Sequence, residues 1–475
     1  MTDQNKLIRL KDYNKIKQKL GDDLIKCLAD VRGSENNIVT LPDWKPPEKN
    51  EDGGDKIVVI KEFGDGWWTQ KYIGLLRVKD KTIYIGSRFD KDNGENNFFT
   101  NYILSKALSV KGLLFPEMQP NMGLDRMMEQ LLAIVFVNQI RVAQKRGLFR
   151  MYRTFERNDE KVRGKIDVSR HINLNPLFNG KIAYSYREYT ADNDINRLIF
   201  TAFSMLEKKY KVFMKGLLNS NRSVRECMMQ MGNIVQQASQ QEIRKLLRRK
   251  NQKIRHSVYK EWEAVRQTAV LILQHMGVNV ARSDKNTING ILVDMTEMWE
   301  LYLESILKGV GEEVFGELKA QDIYRVLCDN NKEYNEEDGR RDFKPDFYWK
   351  KEEDVLFVAD AKYKNSWEKI AKNELIHSKK DKWREPEFDV REDVFQVMSY
   401  MYTLDCRHGA VICPVTVEAA KSPLHCRYTI SKKTDDKFHL FALAIPQNCK
   451  NYDDFKAQMK ESETNLREAL AEVET

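Results

Sequence analysis

No apolar run in this sequence approaches the roughly 20 residues that a membrane helix needs. Nor does an apolar export core follow Met1-Thr2-Asp3-Gln4-Asn5-Lys6-Leu7, so a cytoplasmic location is expected. The seven cysteines (Cys27, Cys227, Cys328, Cys406, Cys413, Cys426 and Cys449) are scattered and form no C-x-x-C pair. That spacing supports neither a zinc site nor a disulfide framework, and reduced thiols follow. No G-x-x-x-x-G-K-[S/T] loop occurs, so the chain is not expected to bind or hydrolyse a nucleotide itself. Histidine is sparse: neither His408 nor His425 has a companion at ligand spacing, and surface or structural roles are expected for both.

What is present is a globular composition, 41% hydrophobic and 32% charged over 475 residues, enough for two or three domains with their own cores. The formal charge of +8 is unevenly placed, since residues 206–266 hold fifteen Lys or Arg against five Glu. The densest part carries Arg244, Lys245, Arg248, Arg249 and Lys250. Such a stripe can follow a phosphate backbone, although the solvated face of a long helix has the same composition.

Chemistry concentrates further on. Lys344-Pro345-Asp346-Phe347-Tyr348-Trp349 is followed, after the polar turn Lys351-Glu352-Glu353, by Val358-Ala359-Asp360-Ala361-Lys362. Phe343 to Trp349 and Val355 to Tyr363 read as the strands of a hairpin. Folding about the turn sets Asp346 opposite Asp360 or its immediate neighbour, while Asp360 and Lys362, two apart, share a face. That face is otherwise apolar, where a carboxylate and an ammonium are costly without a partner or a task. Acidic oxygens hold hard divalent cations, and an amine beside them can act on an attacking water. A surface hairpin with an Asp–Lys ion pair would use the same residues; the Pro-Asp strand beside Asp-x-Lys turns the reading towards a metal-dependent phosphodiesterase.

Two flanking helices add candidates. In Val293 to Glu304, Glu300 sits between Trp299 and Leu301, suited to a third carboxylate at the site or simply to a helix surface. In Arg391 to Tyr400, Gln396 and Tyr400 are four apart on one face. They can orient the Lys362 amine or hold a phosphate oxygen, or merely pack.

Taken in order, Glu300, Asp346, Asp360-Ala361-Lys362 and Gln396-x-x-x-Tyr400 resemble the PD-(D/E)xK nuclease superfamily, in the branch with a Gln-x-x-x-Tyr helix. More narrowly, the chain resembles the McrC nuclease subunits of McrBC-type modification-dependent restriction systems. Tyr72-Ile73-Gly74-Leu75-Leu76 with Thr82-Ile83-Tyr84-Ile85, Val162-Arg163-Gly164-Lys165-Ile166-Asp167, and Tyr189 to Ile199 with its Asn196-Arg197 carry that resemblance. It departs at Ser87-Arg88-Phe89, where the family usually has Pro-Lys.

The resemblance implies a mixed α/β (α+β) fold with a C-terminal nuclease domain whose mixed central sheet is flanked by helices. The expected divisions are a helical lead and linker at 1–50, a partner-binding α/β domain at 51–195, a helical basic region at 196–285, the nuclease domain at 286–448 and an acidic helix at 449–475. Asp192 or Asp194 is expected to cap the helix starting near Asn196. Further implications are Mg²⁺, or Mn²⁺, held by Asp346, Asp360, the Ala361 carbonyl and Glu300, with Lys362 acting on water or transition state and Gln396 and Tyr400 orienting it. The partners implied are DNA and a separate GTP-hydrolysing AAA+ motor of the McrB kind. Two alternatives stay open: a non-catalytic adaptor that bridges a motor to DNA, and a motor-independent repair nuclease.

Overall fold

A computed structural model of the chain describes residues 7–17, 20–29, 31–32, 37–41, 56–64, 66–78, 81–91, 97–110, 124–177, 179–248, 254, 256–275, 288–310, 315–322, 324–326, 341–372, 390–417, 424–430 and 435–473. The chain divides into two compact units: Met1–Asp43, Pro47–Met128 and Gly290–Thr475 form one, and Trp44–Pro46 with Glu129–Asn289 the other. Among the described residues no helix is long and apolar enough to cross a membrane.

The first unit is mixed α/β and holds two large sheets. One has six strands in the order Glu317–Ala320, Phe347–Lys351, Asp354–Ala361, His408–Val417, Lys437–Pro446, His425–Thr429. Its three inner strands run parallel, and the remaining pairings are antiparallel. The inner strands read as near-continuous apolar runs (Leu356-Phe357-Val358-Ala359, Ala410 to Val415, Leu440 to Ile445), as strands covered on both faces do. Trp367, Val397, Tyr400 and Met401, from the helices Asn365–Ala371 and Arg391–Thr403, pack with Val358, Val411 and Cys413 in one core cluster. The acidic C-terminal helix, Tyr452–Ala471, packs on the Lys437–Pro446 strand. Its buried Glu463 accepts hydrogen bonds from Tyr102 Oη (2.8 Å) and Tyr302 Oη (2.9 Å), so this helix is part of the unit rather than an appended tail.

The second sheet corrects the expected divisions. Its order is Leu7–Lys11, Lys81–Gly86, Tyr72–Val78, Ile288–Asp294, Asn37–Leu41. Residues 1–50, read as a helical lead and linker, thus supply two strands to this sheet, one of them pairing parallel with Lys81–Gly86; among their described residues only Asp22–Ala29 is an α-helix. Five-residue strands are too short to show a period of two against noise. Ile288–Asp294, assigned by sequence to the nuclease domain, lies beside Tyr72–Val78, some 200 residues earlier in the chain. Two glycines make that neighbourhood possible. A Cβ at Gly74 (φ +148°) would lie 2.1 Å from the Ile291 oxygen, and one at Gly290 would lie 2.1 Å from the Leu75 oxygen.

In the second unit, Lys165–Ile166, Ile182–Thr190 and Met151–Asp159 form a three-stranded antiparallel sheet, followed by helices from Asp194–Lys209 onward. The expected boundary at 195/196 falls inside this unit. Asn193, not Asp192 or Asp194, is the N-cap, accepting from the Asn196 amide at 2.9 Å. Asn196 Nδ2 donates to the Phe149 and Ala191 oxygens, while Asp192 pairs with Arg153 and Arg197. These bonds stitch sheet to helix at the junction where an aspartate cap was expected.

The six-stranded sheet also contains a chain of three imidazoles. His408 Nδ1 is 3.1 Å from His439 Nε2, and His439 Nδ1 is 3.0 Å from His425 Nε2. A neutral imidazole has one N–H, so His439 donates to one neighbour and accepts from the other. Burial holds all three rings below the ordinary histidine range, His439 at about 3, and Arg427 and Lys437 add to the effect. Unfolding at low pH therefore takes up protons that the folded sheet refuses. Stability from these rings is present near and above pH 6.5 and is lost as the pH drops below it, His439 still refusing its proton down to about pH 3. A urea midpoint that declines from pH 6.5 to 5, with a shallower decline in His439→Gln, is expected; identical slopes would show that the imidazole chain does not govern acid lability.

Candidate active site

The hairpin pairs Phe347 with Ala359, which sets Asp346, one residue before the paired stretch, across from Asp360. The apolar residues Phe347, Tyr348, Trp349, Val358 and Ala359 are buried and anchor both strands. Asp346 Oδ2 accepts the Ala361 amide at 2.8 Å. Beyond Ala361 the chain leaves the strand, and the Lys362 amide donates to the Ile412 oxygen at 3.0 Å. The Lys362 side chain then meets three acceptors: Asp360 Oδ2 at 2.5 Å, Gln396 Oε1 at 2.9 Å and Asp393 Oδ1 at 3.4 Å.

The Arg391–Thr403 helix carries the facing side of the site. Gln396 Nε2 donates to Tyr400 Oη at 2.6 Å, and Tyr400 Oη donates to the Lys344 oxygen at 3.1 Å. Tyr400 thereby ties the helix to the segment just before Asp346. Glu300, on the Met295–Leu307 helix, accepts from Gln321 Nε2 at 3.1 Å. Gln321 has φ +58°, and its amide donates to the Asp346 oxygen at 3.1 Å, so one strained residue holds two of the carboxylate-bearing segments.

Electrostatics mark this place apart. Burial pushes the Glu300 carboxyl up to about 7, and the charge of Asp360 adds to the shift. Asp346 is raised well above the usual range by burial and by Asp360 and Glu300. Asp360, 1% exposed, is raised by burial against the opposing pull of Lys362. Burial works against the Lys362 charge, but Asp360 and Asp393 outweigh it and hold the ammonium more firmly protonated than usual. The cluster is a buried excess of negative charge with one inward-facing cation.

Among the described residues, no three His, Cys, Asp or Glu side chains already form a ligand shell about one point. What the site offers is a hard-oxygen donor set with one position open. Asp360 Oδ2 lies 2.5 Å from Lys362 Nζ as an ion pair and, among the described residues, this buried oxygen has no well-directed hydrogen bond. Repelling carboxylates with an unsatisfied oxygen fit a divalent cation of the Mg²⁺ or Mn²⁺ type better than a soft metal.

Several residues here were missed by sequence reasoning. Gln321 and Lys364 lack any pattern that would have singled them out. Asp393 had one: with Gln396 and Tyr400 it lies at i, i+3, i+7 on a single helix face. Arg88 stands where the family pattern was broken. Its buried guanidinium donates to Glu368 Oε2 (2.9 Å), Asp12 Oδ2 (3.3 Å) and the Tyr363 oxygen (2.5 Å), which braces the residue following Lys362. Of the basic stripe, Arg244 and Lys245 are exposed on the Gln240–Arg248 helix of the second unit, whose other face buries Ile243 and Leu246. Arg249, Lys250 and the Arg248 side chain lie outside the described residues, as does most of the Lys364–Glu387 segment.

Residues 68–414 match the family described as McrBC 5-methylcytosine restriction system component. The chain belongs to this family. No curated protein matches it. Among solved structures it is similar to a half-complex of a tetradecameric assembly of Thermococcus gammatolerans McrB AAA+ hexamers with bound McrC. The identity is 15%, the coverage 98% of this chain and 99% of that one, and the TM-score 0.42. A cryo-EM structure of the Thermococcus gammatolerans McrBC complex is similar over 63% of this chain and 87% of that one, at 17% identity and a TM-score of 0.28.

A buried set of mutually repelling carboxylates should cost stability when no cation is bound. In EDTA, at a pH high enough to ionise these raised carboxyls, Asp346→Asn keeps an acceptor for the Ala361 amide and removes one charge. It should raise the melting temperature, by roughly 1–2 °C for each kcal/mol recovered. A lower melting temperature than wild type would show that the charge is not a source of strain.

Proposed function

We propose that this chain is the nuclease subunit of its restriction system, a McrC-type protein that hydrolyses DNA phosphodiester bonds with Mg²⁺, or Mn²⁺, in the site of Asp346 and Asp360. The observation that carries the reading is the meeting of Asp346, Asp360 and Lys362 with Gln396 and Tyr400 at one end of a buried parallel strand. Membership of the McrBC family supports it. Asp346, Asp360, the Ala361 carbonyl and Glu300 would hold the cation. When bound, such a cation supplies a water of lowered pKa and offsets charge on the scissile phosphate.

The chain's own groups do the rest. Lys362, its ammonium lying between two carboxylates and bonded to an amide oxygen, serves as a positive charge beside the phosphate rather than as a base. Gln396 sets where that ammonium points, and Tyr400 fixes Gln396 by taking its N–H. Hydrolysis adds water oxygen to phosphorus, breaks one P–O ester bond and leaves the proton on the departing oxygen. A separate McrB-type AAA+ GTPase would gate the reaction, as the chain shows no phosphate-binding loop. Arg244 and Lys245 would meet the DNA backbone.

The deciding assay is plasmid cleavage with Mg²⁺ by wild type and Asp360→Ala, each with and without the partner GTPase and GTP. Cleavage by wild type with the motor, and at least about a hundredfold less by the variant, is expected. Equal stimulation of GTP hydrolysis by both proteins with no cleavage by either would favour the adaptor; wild-type cleavage without the motor would favour a repair nuclease. Separately, Arg244→Glu with Lys245→Glu should weaken DNA binding and flatten its salt dependence, by a slope of about 2 for two lost phosphate contacts. An unchanged salt slope would place the DNA elsewhere.

A further inference from the structure

Lys362 and a bound cation would compete for the same oxygen. The ammonium lies 2.5 Å from Asp360 Oδ2, the oxygen that has no well-directed hydrogen bond among the described residues. Two positive centres cannot share one buried carboxylate oxygen without strong repulsion, so loading Asp360 displaces the lysine. A displaced ammonium that finds no second counter-charge stays buried and unpaired, at a cost that opposes loading.

A second counter-charge is already in place. Asp393 Oδ1 lies 3.4 Å from Lys362 Nζ, on the side of the lysine that the Arg391–Thr403 helix supplies. Asp393 is 4% exposed, and Oδ2 accepts the Trp367 indole N–H at 2.8 Å, so the carboxylate cannot swing away. It also sits in the first turn of its helix, where the dipole favours a negative charge. Lys364 Nζ, half exposed, shares Oδ1 at 2.6 Å and can retreat into solvent. Gln396 Oε1, at 2.9 Å, stays on the lysine throughout as a pivot.

We propose, given the cation-dependent nuclease reading, that Asp393 is the receiving counter-ion of Lys362: it takes up the ammonium when a divalent cation occupies Asp360, and so sets how readily the site is loaded. Asp393 is therefore a positioning residue, acting through Lys362. The carboxylate pair works as a two-position track, with Asp360 holding the lysine in the cation-free site and Asp393 holding it in the loaded one.

The test is Mn²⁺ binding by calorimetry on the full chain, without DNA or motor, for wild type, Asp393→Asn, Lys362→Met and the double variant. Asp360→Ala identifies the titrated site by losing it. Asp393→Asn should weaken Mn²⁺ on the order of tenfold, and Lys362→Met in the same chain should restore it, because no ammonium then needs rehousing. A purely structural defect at Asp393 would not be repaired by removing the lysine. Wild-type affinity in Asp393→Asn, or a defect undiminished in the double variant, overturns the proposal. Absence of Mn²⁺ binding by wild type overturns the cation-dependent reading and this proposal with it. Where Asp393→Asn does not fold, Asp393→Glu and Trp367→Phe keep the charge but release its position; wild-type affinity in both also overturns the proposal.

Discussion

The structure around the candidate site depends on one hydrogen bond between two chain segments that carry opposite duties. Asp346 Oδ2 takes the amide of Ala361, the residue between Asp360 and Lys362. That bond holds one carboxylate against the end of the other's strand, where both are largely out of water. Ordinary packing would not place like charges there. The apolar residues of the hairpin and the parallel strand beside it keep the pair together, and the pair in turn makes the ammonium of Lys362 necessary.

Support for this arrangement comes from several layers. Tyr400 ties the Gln-x-x-x-Tyr helix to the backbone before Asp346, and Gln321 ties Glu300 to the backbone of Asp346 itself. Behind Lys362, Arg88 gathers Asp12, Glu368 and the Tyr363 oxygen into a buried network. Glu368 is held ionised because Arg88 and Lys372, the latter at 2.8 Å, outweigh its burial. An arginine suits this place, since its planar fork reaches acceptors spread around it, which a lysine could serve only if they converged on its single nitrogen. The N-terminal strands are thus bonded to the segment that follows the Asp-x-Lys strand.

The site was legible in the sequence because its chemistry is local. Asp346, Asp360 and Lys362 sit on one hairpin whose turn and apolar flanks set their register, and Gln396 and Tyr400 share a face by helical spacing alone. Glu300 stood out by its place between Trp299 and Leu301, though an ordinary helix-surface glutamate reads the same way. Asp393 was passed over because a first-turn acid on a helix has an ordinary reading as a dipole partner; only its 3.4 Å approach to Lys362 gives it a second one.

By itself, then, the sequence determined the hairpin, the helices that flank it and the family, since each rests on short-range periodicity or on residues in order. The tertiary structure decided what depends on long-range pairing. It set Leu7–Lys11 beside Lys81–Gly86, and Ile288–Asp294 beside Tyr72–Val78 through the close approach at Gly74 and Gly290. It chose Asn193 over its aspartate neighbours as the helix cap, and made a chain of three histidines from residues with no sequence spacing to announce them. Sheet partners distant in the chain are chosen by complementary surfaces and backbone donors, and neither leaves a periodic trace in the residues of one strand.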